Sequence, residues 1–451
     1  MNRNTLHLLS RAGFGPSPSD WRTLENSEPG ALFEQMVRRV ENSKVLLSNP
    51  YIATAPEELP QMMRKEEYKD VQDPVMGETH LWMMRMVSTE EPDLLERMTL
   101  FWHDHFACRA FTGPHAVAYL NVLRQHGLGN FKDLVRAVAR TPAMIRYLDN
   151  ESNKVDAPNE NFARELMELF TIGRGYYTEN DVKEAARAFT GWGGTRDGEF
   201  KFRKWLHDEG EKEFMGKRGK LSGDDIIDRL LERPETARFI VRKLYRYFIN
   251  DIIDEQQVNQ WAEVFYTDYE ILPLLRRMFL SEHFYEPQNV GTKIKSPLDL
   301  IVGILRQFEV TTDNARGTNL LQRYLGQYLF RPPNVAGWPA GRFWINNATL
   351  ALRMILPTGI AGETMPRYFD RSKLDRSFRY FKGEGNIESL LSLTKGFSTQ
   401  DRFEYLSNYL LGNYAWKNNR SVEAAILKGP STEPDFNVAL HLMSLPEYQM
   451  V

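Results

Sequence analysis

The sequence predicts a mainly α protein, a large multi-helix orthogonal bundle with at most a short β-hairpin near residues 195–206. Three observations carry this. Apolar residues recur every three or four positions through most of the chain. Helix-start signals repeat: Thr178 with Asp181 and Ser398 with Asp401 read as capping boxes, and Thr141–Pro142 and Ser296–Pro297 set a cap before a first-turn proline. Good alternation occurs only at Glu199–Trp205, behind the glycine-rich Gly191–Gly194.

Leu6, Leu8 and Leu9 open a first helix, stopped by Gly13–Phe14–Gly15–Pro16, where glycine tolerates positive φ and proline lacks an N–H. Residues 30–47 read as a helix. The polar stretch 48–75, with four prolines, reads as a loop or lid containing a short helix. Pro92 suits the first helical position ahead of Leu94–Ala110. Further helices are expected over Leu298–Phe308 and Phe403–Leu411. The polar, basic Arg367–Gly385 stretch suggests a main helical domain over 1–365, carrying the site, and a smaller helical extension over 366–451 packed on it. The sequence has no internal repeat.

Composition narrows the function classes. With 42% hydrophobic and 26% charged residues the 451-residue chain is ordinary globular material. A formal net charge of −3 gives no bulk electrostatic reason to expect nucleic acid or an anionic membrane as partner. Cys108 is the sole cysteine, so no intramolecular disulfide or thiolate zinc cluster can form. No window approaches the ~18 consecutive apolar residues of a membrane span. The N-terminus lacks a signal-peptide apolar run; the default expectation is cytoplasmic, or exported or envelope-associated if a signal was removed. Gly-x-Ser-x-Gly, a dinucleotide fingerprint and His-Glu-x-x-His do not occur, and Gly216–Lys220 lacks the spacing of a nucleotide-phosphate loop. No nucleotide cofactor is expected.

The stretch Asn159–Gly173 concentrates chemistry on one short helix. Phe162, Leu166, Leu169 and Phe170 form its apolar face, with Asn161, Glu165 and Glu168 as the adjacent stripe. Glu165 and Glu168 can converge on one cation or share a proton, or simply be a solvated flank. His103 and His105 point ~160° apart on a helix and cannot chelate one ion together. His105 reads as a core histidine; His103 is either structural or faces a polar site. His207–Asp208 is a second His–Asp doublet. The proline- and glycine-rich Arg331–Trp338 loop offers polar tips at Arg331, Asn334 and Trp338, or merely locks a corner.

One reading is a metal-dependent hydrolase. His103, Glu165, His207 and Asp208 would hold a divalent Zn, Mn or Fe ion, with Glu168 as general base and Arg164 or Arg331 holding an anionic substrate. Asn159, Asn334 and Trp338 would complete the substrate site. The other reading is a non-catalytic helical binding or assembly protein, in which a buried polar network fixes helix register.

The ordered blocks F-W-H-D-H-F, G-L-G-N-F-K-D-L, P-A-M-I-R-Y-L-D-N, N-E-N-F-A-R-E-L-M-E-L-F-T-I-G, A-A-R-A-F-T-G-W, F-M-G-K-R-G, A-R-F-I-V-R-K-L and R-P-P-N-V-A-G-W resemble the bacterial family called domain of unknown function 1800. The likeness runs from His7–Phe14 to the closing L-P-E-Y-Q. Two departures stand out: Asp104 occupies a position where the family pattern has Asn, and the export signal of many relatives is missing. The family brings no established activity. The resemblance implies a protein of the sulfatase-like family 1501 as a partner, and it singles out the same polar blocks as the chemistry does.

Overall fold

The computed structural model describes residues 2–43, 73–90, 93–195, 197–366, 378–412 and 434–451. These form 20 helices and two small antiparallel ribbons. In chain order the helices are α1 Arg3–Ala12, α2 Pro18–Leu24, α3 Pro29–Glu41, α4 Met76–Val87, α5 Asp93–His105, α6 Gly113–His126, α7 Phe131–Ala139, α8 Pro142–Tyr147, α9 Asn161–Glu165 and α10 Glu179–Ala188. After the ribbons come α11 Gly223–Leu231, α12 Pro234–Phe248, α13 Glu255–Asp268, α14 Ile271–Phe279, α15 Pro297–Gln307, α16 Ala315–Leu325, α17 Asn347–Thr364, α18 Ile387–Ser392, α19 Thr399–Leu411 and α20 Pro434–Met443. Most of the expected 48–75 loop, and Pro92, lie outside the described residues.

The expected hairpin is present as β1 Trp192–Gly194 against β2 Phe200–Phe202. The second ribbon, β3 Lys212–Phe214 against β4 Lys217–Gly219, goes beyond the single short hairpin expected. Its two linking residues, Met215 and Gly216, both have positive φ, as a tight hairpin turn of right-handed twist requires. Its flanking residues show no clean alternation, which is why it is silent in the sequence.

Helix α5 runs through the core, with Leu94, Met98, Phe101 and Trp102 buried. Its charged residues face partners on other helices. The Asp93 carboxylate takes two hydrogen bonds from Arg306 of α15, at 2.6 and 2.9 Å. Glu96 pairs with Arg124 of α6 and accepts the Trp82 indole N–H at 3.0 Å. Arg97 pairs with Asp299 of α15 at 2.5 Å and donates to the Gly13 carbonyl. Only one rotation and translation of α5 satisfies all of these at once, so the buried charges specify its register.

The described part of 378–451 is joined to the earlier chain by polar contacts and by a shared hydrophobic core. Tyr409 donates to the Pro16 carbonyl at 3.0 Å, Tyr405 to Glu25 at 2.8 Å, and the Asn386 N–H to the Phe308 carbonyl at 2.8 Å. The boundary expected near 366 falls at residues 367–377, outside the described set.

Candidate functional site

The Asn159–Gly173 stretch changes helix type midway. After α9 the residues Leu166–Phe170 form a π turn, in which the Ile172 N–H reaches the Met167 carbonyl at 3.1 Å. Thr171 supports it by donating its hydroxyl to the Leu166 carbonyl at 2.6 Å. Widened turns of this kind leave helix-end carbonyls for other donors. Two side chains take them: the buried His105, whose Nε2 meets the Phe170 carbonyl at 3.0 Å, and the half-buried Lys243, whose Nζ donates to the Leu169 carbonyl at 3.0 Å. The stretch therefore enters the site through its backbone.

Its side chains are engaged locally. Glu168, expected as a general base, is held by Arg174 and accepts the Tyr177 hydroxyl at 3.0 Å. Arg164 is spanned by Glu160 at 2.9 Å and Glu179 at 2.8 Å. Asn159 donates to Asp149 and to Ser152. The Glu165 carboxyl is half-buried, and burial followed by the charge of Glu168 raises its pKa.

The four residues expected to form one ligand set occupy separate surroundings. His103 is fully buried among Trp82, Tyr119, Phe330 and Trp338, and its Nε2 accepts the Phe330 N–H at 3.0 Å. Burial lowers its pKa to about 3, so the ring is neutral. His207 Nδ1 meets the Thr190 carbonyl at 2.9 Å. Asp208 is clasped by Arg187, Nε to Oδ2 at 2.7 Å, and accepts the Gly210 N–H at 2.8 Å. Among the described residues no three His, Cys, Asp or Glu side chains come together as a group able to hold a metal. Asp208 is already held by Arg187, and His103 and His207 each spend a ring nitrogen on a backbone partner. These four residues do not present a common donor set for the expected ion.

The Arg331–Trp338 loop divides in the same way. Arg331 is bound to Asp73 at 2.6 Å and to the Ala110 carbonyl, and Asn334 turns its carbonyl oxygen onto the Ala336 N–H at 2.8 Å. Both shape the loop. Trp338 alone of these reaches a cavity. Its backbone N–H donates to Asp104 Oδ1 at 2.7 Å, and its ring lies 5.3 Å from that of His103.

The cavity, about 230 Å³, lies between α1, α5, α12, the 293–299 segment and the 336–344 loop. Phe101, Tyr247, Trp338 and Trp344 supply aromatic walls. Its cations are Arg11, Arg97, Lys243, Arg246 and Lys293; its carboxylates are Asp104 and Asp299. Asp299 is taken by Arg97, and Lys293 pairs with Asp251 at 2.5 Å. Arg246 is exposed and makes no ion pair among the described residues. Burial raises the Asp104 carboxyl to about 6, against the opposing Trp338 N–H and Lys243 charge. Burial lowers Lys243 to about 8, with Asp104 acting the other way. No ion pair joins these two, so both remain available to a molecule between them.

Sequence reasoning missed Lys243, Arg246, Tyr247, Lys293 and Trp344. The available signal was Lys243–Tyr247 at i, i+4 on an amphipathic helix with Arg246 beside them, a pattern shared by many solvated faces.

Fold and cavity define a helical protein with a cation-lined pocket between its helices. The chain belongs to the family described as protein of unknown function (DUF1800), whose model matches residues 7–450. No curated protein and no solved structure matches it.

Proposed function

We propose that the protein binds a small anionic organic molecule in the cavity between α5, α12 and the 336–344 loop. The excess of cations over side-chain carboxylates there carries the reading: Arg97 pairs with Asp299 and Lys293 with Asp251, while neither Lys243 nor Arg246 is in an ion pair among the described residues. Concave sites with aromatic walls and a few convergent charges are the usual form of small-ligand pockets. The test compares thermal unfolding in sulfate, phosphate and chloride at equal ionic strength. Sulfate or phosphate should raise Tm by several degrees over chloride, and Arg246→Ala should lose most of that gain. Equal shifts from chloride would remove the reading.

A second reading adds hydrolysis of a phosphate or sulfate ester, and one observation favours it. Asp104 at about 6 and Lys243 at about 8 face the same cavity, so between those values one is a base and the other an acid. Water would attack the phosphorus or sulfur as Asp104 takes its proton. The P–O or S–O bond to the alcohol would break with the electron pair leaving on the alcohol oxygen, and Lys243 would offset charge on the ester oxygens. Turnover of 4-nitrophenyl phosphate or 4-nitrophenyl sulfate should then fall on both sides of that window and be lost in Asp104→Asn. A sulfatase-like family 1501 partner would act on the same ester class. Metal content of wild type and Glu165→Gln, purified without chelator, is the matching control for the metal-dependent alternative; substoichiometric metal in both is the expected result.

A further inference from the structure

Among the described residues, the two most exposed large apolar side chains are Phe343, 83% exposed, and Ile252, 80% exposed. Single exposed apolar residues are ordinary. These two, however, belong to segments that meet beside the cavity. Gly341 lines the cavity, and a Cβ placed on it would lie 2.9 Å from Asp251 Oδ2. Asp251 in turn holds Lys293, another lining residue. Ile252 follows Asp251 directly, and Phe343 follows Gly341 by two residues. Exposed cations accompany them: Arg246 in the cavity lining and Arg342 next to Phe343, neither in an ion pair among the described residues.

We infer that this mouth docks on an anionic lipid surface, with a phosphate-bearing headgroup entering the cavity and Phe343 and Ile252 resting among the acyl chains. This rests on the cavity being an anion site. A free anion would explain Arg246 and Lys243 but leaves the apolar rim unused; an amphiphile uses both. No helix of the described residues is long and apolar enough to cross a membrane, so contact would be by surface residues and headgroup capture. The chain's net charge of −3 supplies no overall attraction, and the local cations must provide it.

Flotation with vesicles of phosphatidylcholine alone, or with about 30% phosphatidylglycerol, tests this at low and physiological salt. Wild type should float with the anionic vesicles only. The double variant Ile252→Ser, Phe343→Ser, changed at exposed positions that the core does not use, should bind them ~10-fold more weakly. It should keep the full sulfate-induced rise in Tm. Soluble glycerol phosphate should compete with vesicle binding. Flotation of the double variant equal to wild type overturns the inference. A sulfate shift without vesicle binding overturns it as well, while leaving the anion site in place. Loss of both vesicle binding and sulfate shift in wild type removes the anion site too.

Discussion

Asp104 and Trp338 are joined by a 2.7 Å hydrogen bond from the tryptophan N–H to the aspartate Oδ1, and this bond ties the 331–341 loop to the end of α5. It also sets the cavity wall, since both residues line it. The contact needs only an acceptor oxygen, which an asparagine would supply equally well. The negative charge is thus surplus to the structural task.

Asp104→Asn should therefore fold normally and change the pH dependence of stability. The folded-state pKa of about 6 lies above the ordinary 3.8, so between these values the folded protein holds a proton that the unfolded chain has released. Stability from this group is present below the unfolded value and lost as pH rises through about 6. The asparagine variant lacks this loss. Its stability should match wild type near the ordinary carboxylate pKa and exceed it at neutral pH, by an amount on the order of 3 kcal/mol that shows as a higher Tm. A constant difference across that range would refute the assignment.

Gly337 has a φ of +89°, and a Cβ on it would strike Asp104 Oδ1 and lie 2.6 Å from the Asp104 carbonyl oxygen. Gly337→Ala combines backbone strain with overpacking against α5, each ordinarily worth about 1–3 kcal/mol. The midpoint of urea unfolding should fall accordingly, and the Trp338 fluorescence environment should change with it. Gly216→Ala, at positive φ with nothing near its Cβ, should lose less.

Buried and exposed ion pairs should separate sharply. The Arg124 and Glu96 side chains are 0% and 1% exposed, whereas those of Arg164 and Glu160 are 33% and 36% exposed. Arg124→Met leaves Glu96 charged in the core and should cost about 3–5 kcal/mol. Adding Glu96→Gln should recover part of this, because the amide still accepts the Trp82 N–H. Arg164→Ala should cost less than about 1 kcal/mol. Chemical denaturation of the four proteins decides it; equal costs at the two arginines would contradict the burial argument.

The helical architecture and the first hairpin were legible because capping residues and apolar periodicity are local signals. Thr178, Ser296 and Ser398 do cap helices, at the positions their sequence neighbours dictate. The site was legible only in part. Trp338 was singled out for its rigid loop and does line the cavity, and His105 was read correctly as a core histidine. Glu165, Glu168, Arg164 and Asp208 drew notice as charged residues in apolar blocks; Arg164 has the i, i+4 partner Glu160 that spacing alone suggests, whereas Arg187 for Asp208 and Glu179 for Arg164 are brought near only by the fold. Lys243, Lys293 and Asp104 come from segments far apart in sequence. Their significance is the shared cavity, which no spacing within one helix discloses.

Lys243 gives the binding reading its own pH signature. Burial holds its ammonium near a pKa of about 8, so the charge that would meet an anion fades as pH rises through that value. Sulfate keeps its charge from pH ~7 to ~9, so a change in its effect reports the protein. The sulfate-induced rise in Tm should shrink over this interval in wild type. In Lys243→Arg the guanidinium stays charged and can still donate to the Leu169 carbonyl, so the rise should depend less on pH than in wild type, the remaining dependence reporting Lys293, which burial also holds near about 8. Arg246→Ala should reduce it at every pH, because that arginine is exposed and lines the cavity. A wild-type shift unchanged between the two ends of the interval would mean that neither Lys243 nor Lys293, whose ammonium burial also holds near about 8, meets the anion, and the site would have to be drawn around Arg246 instead.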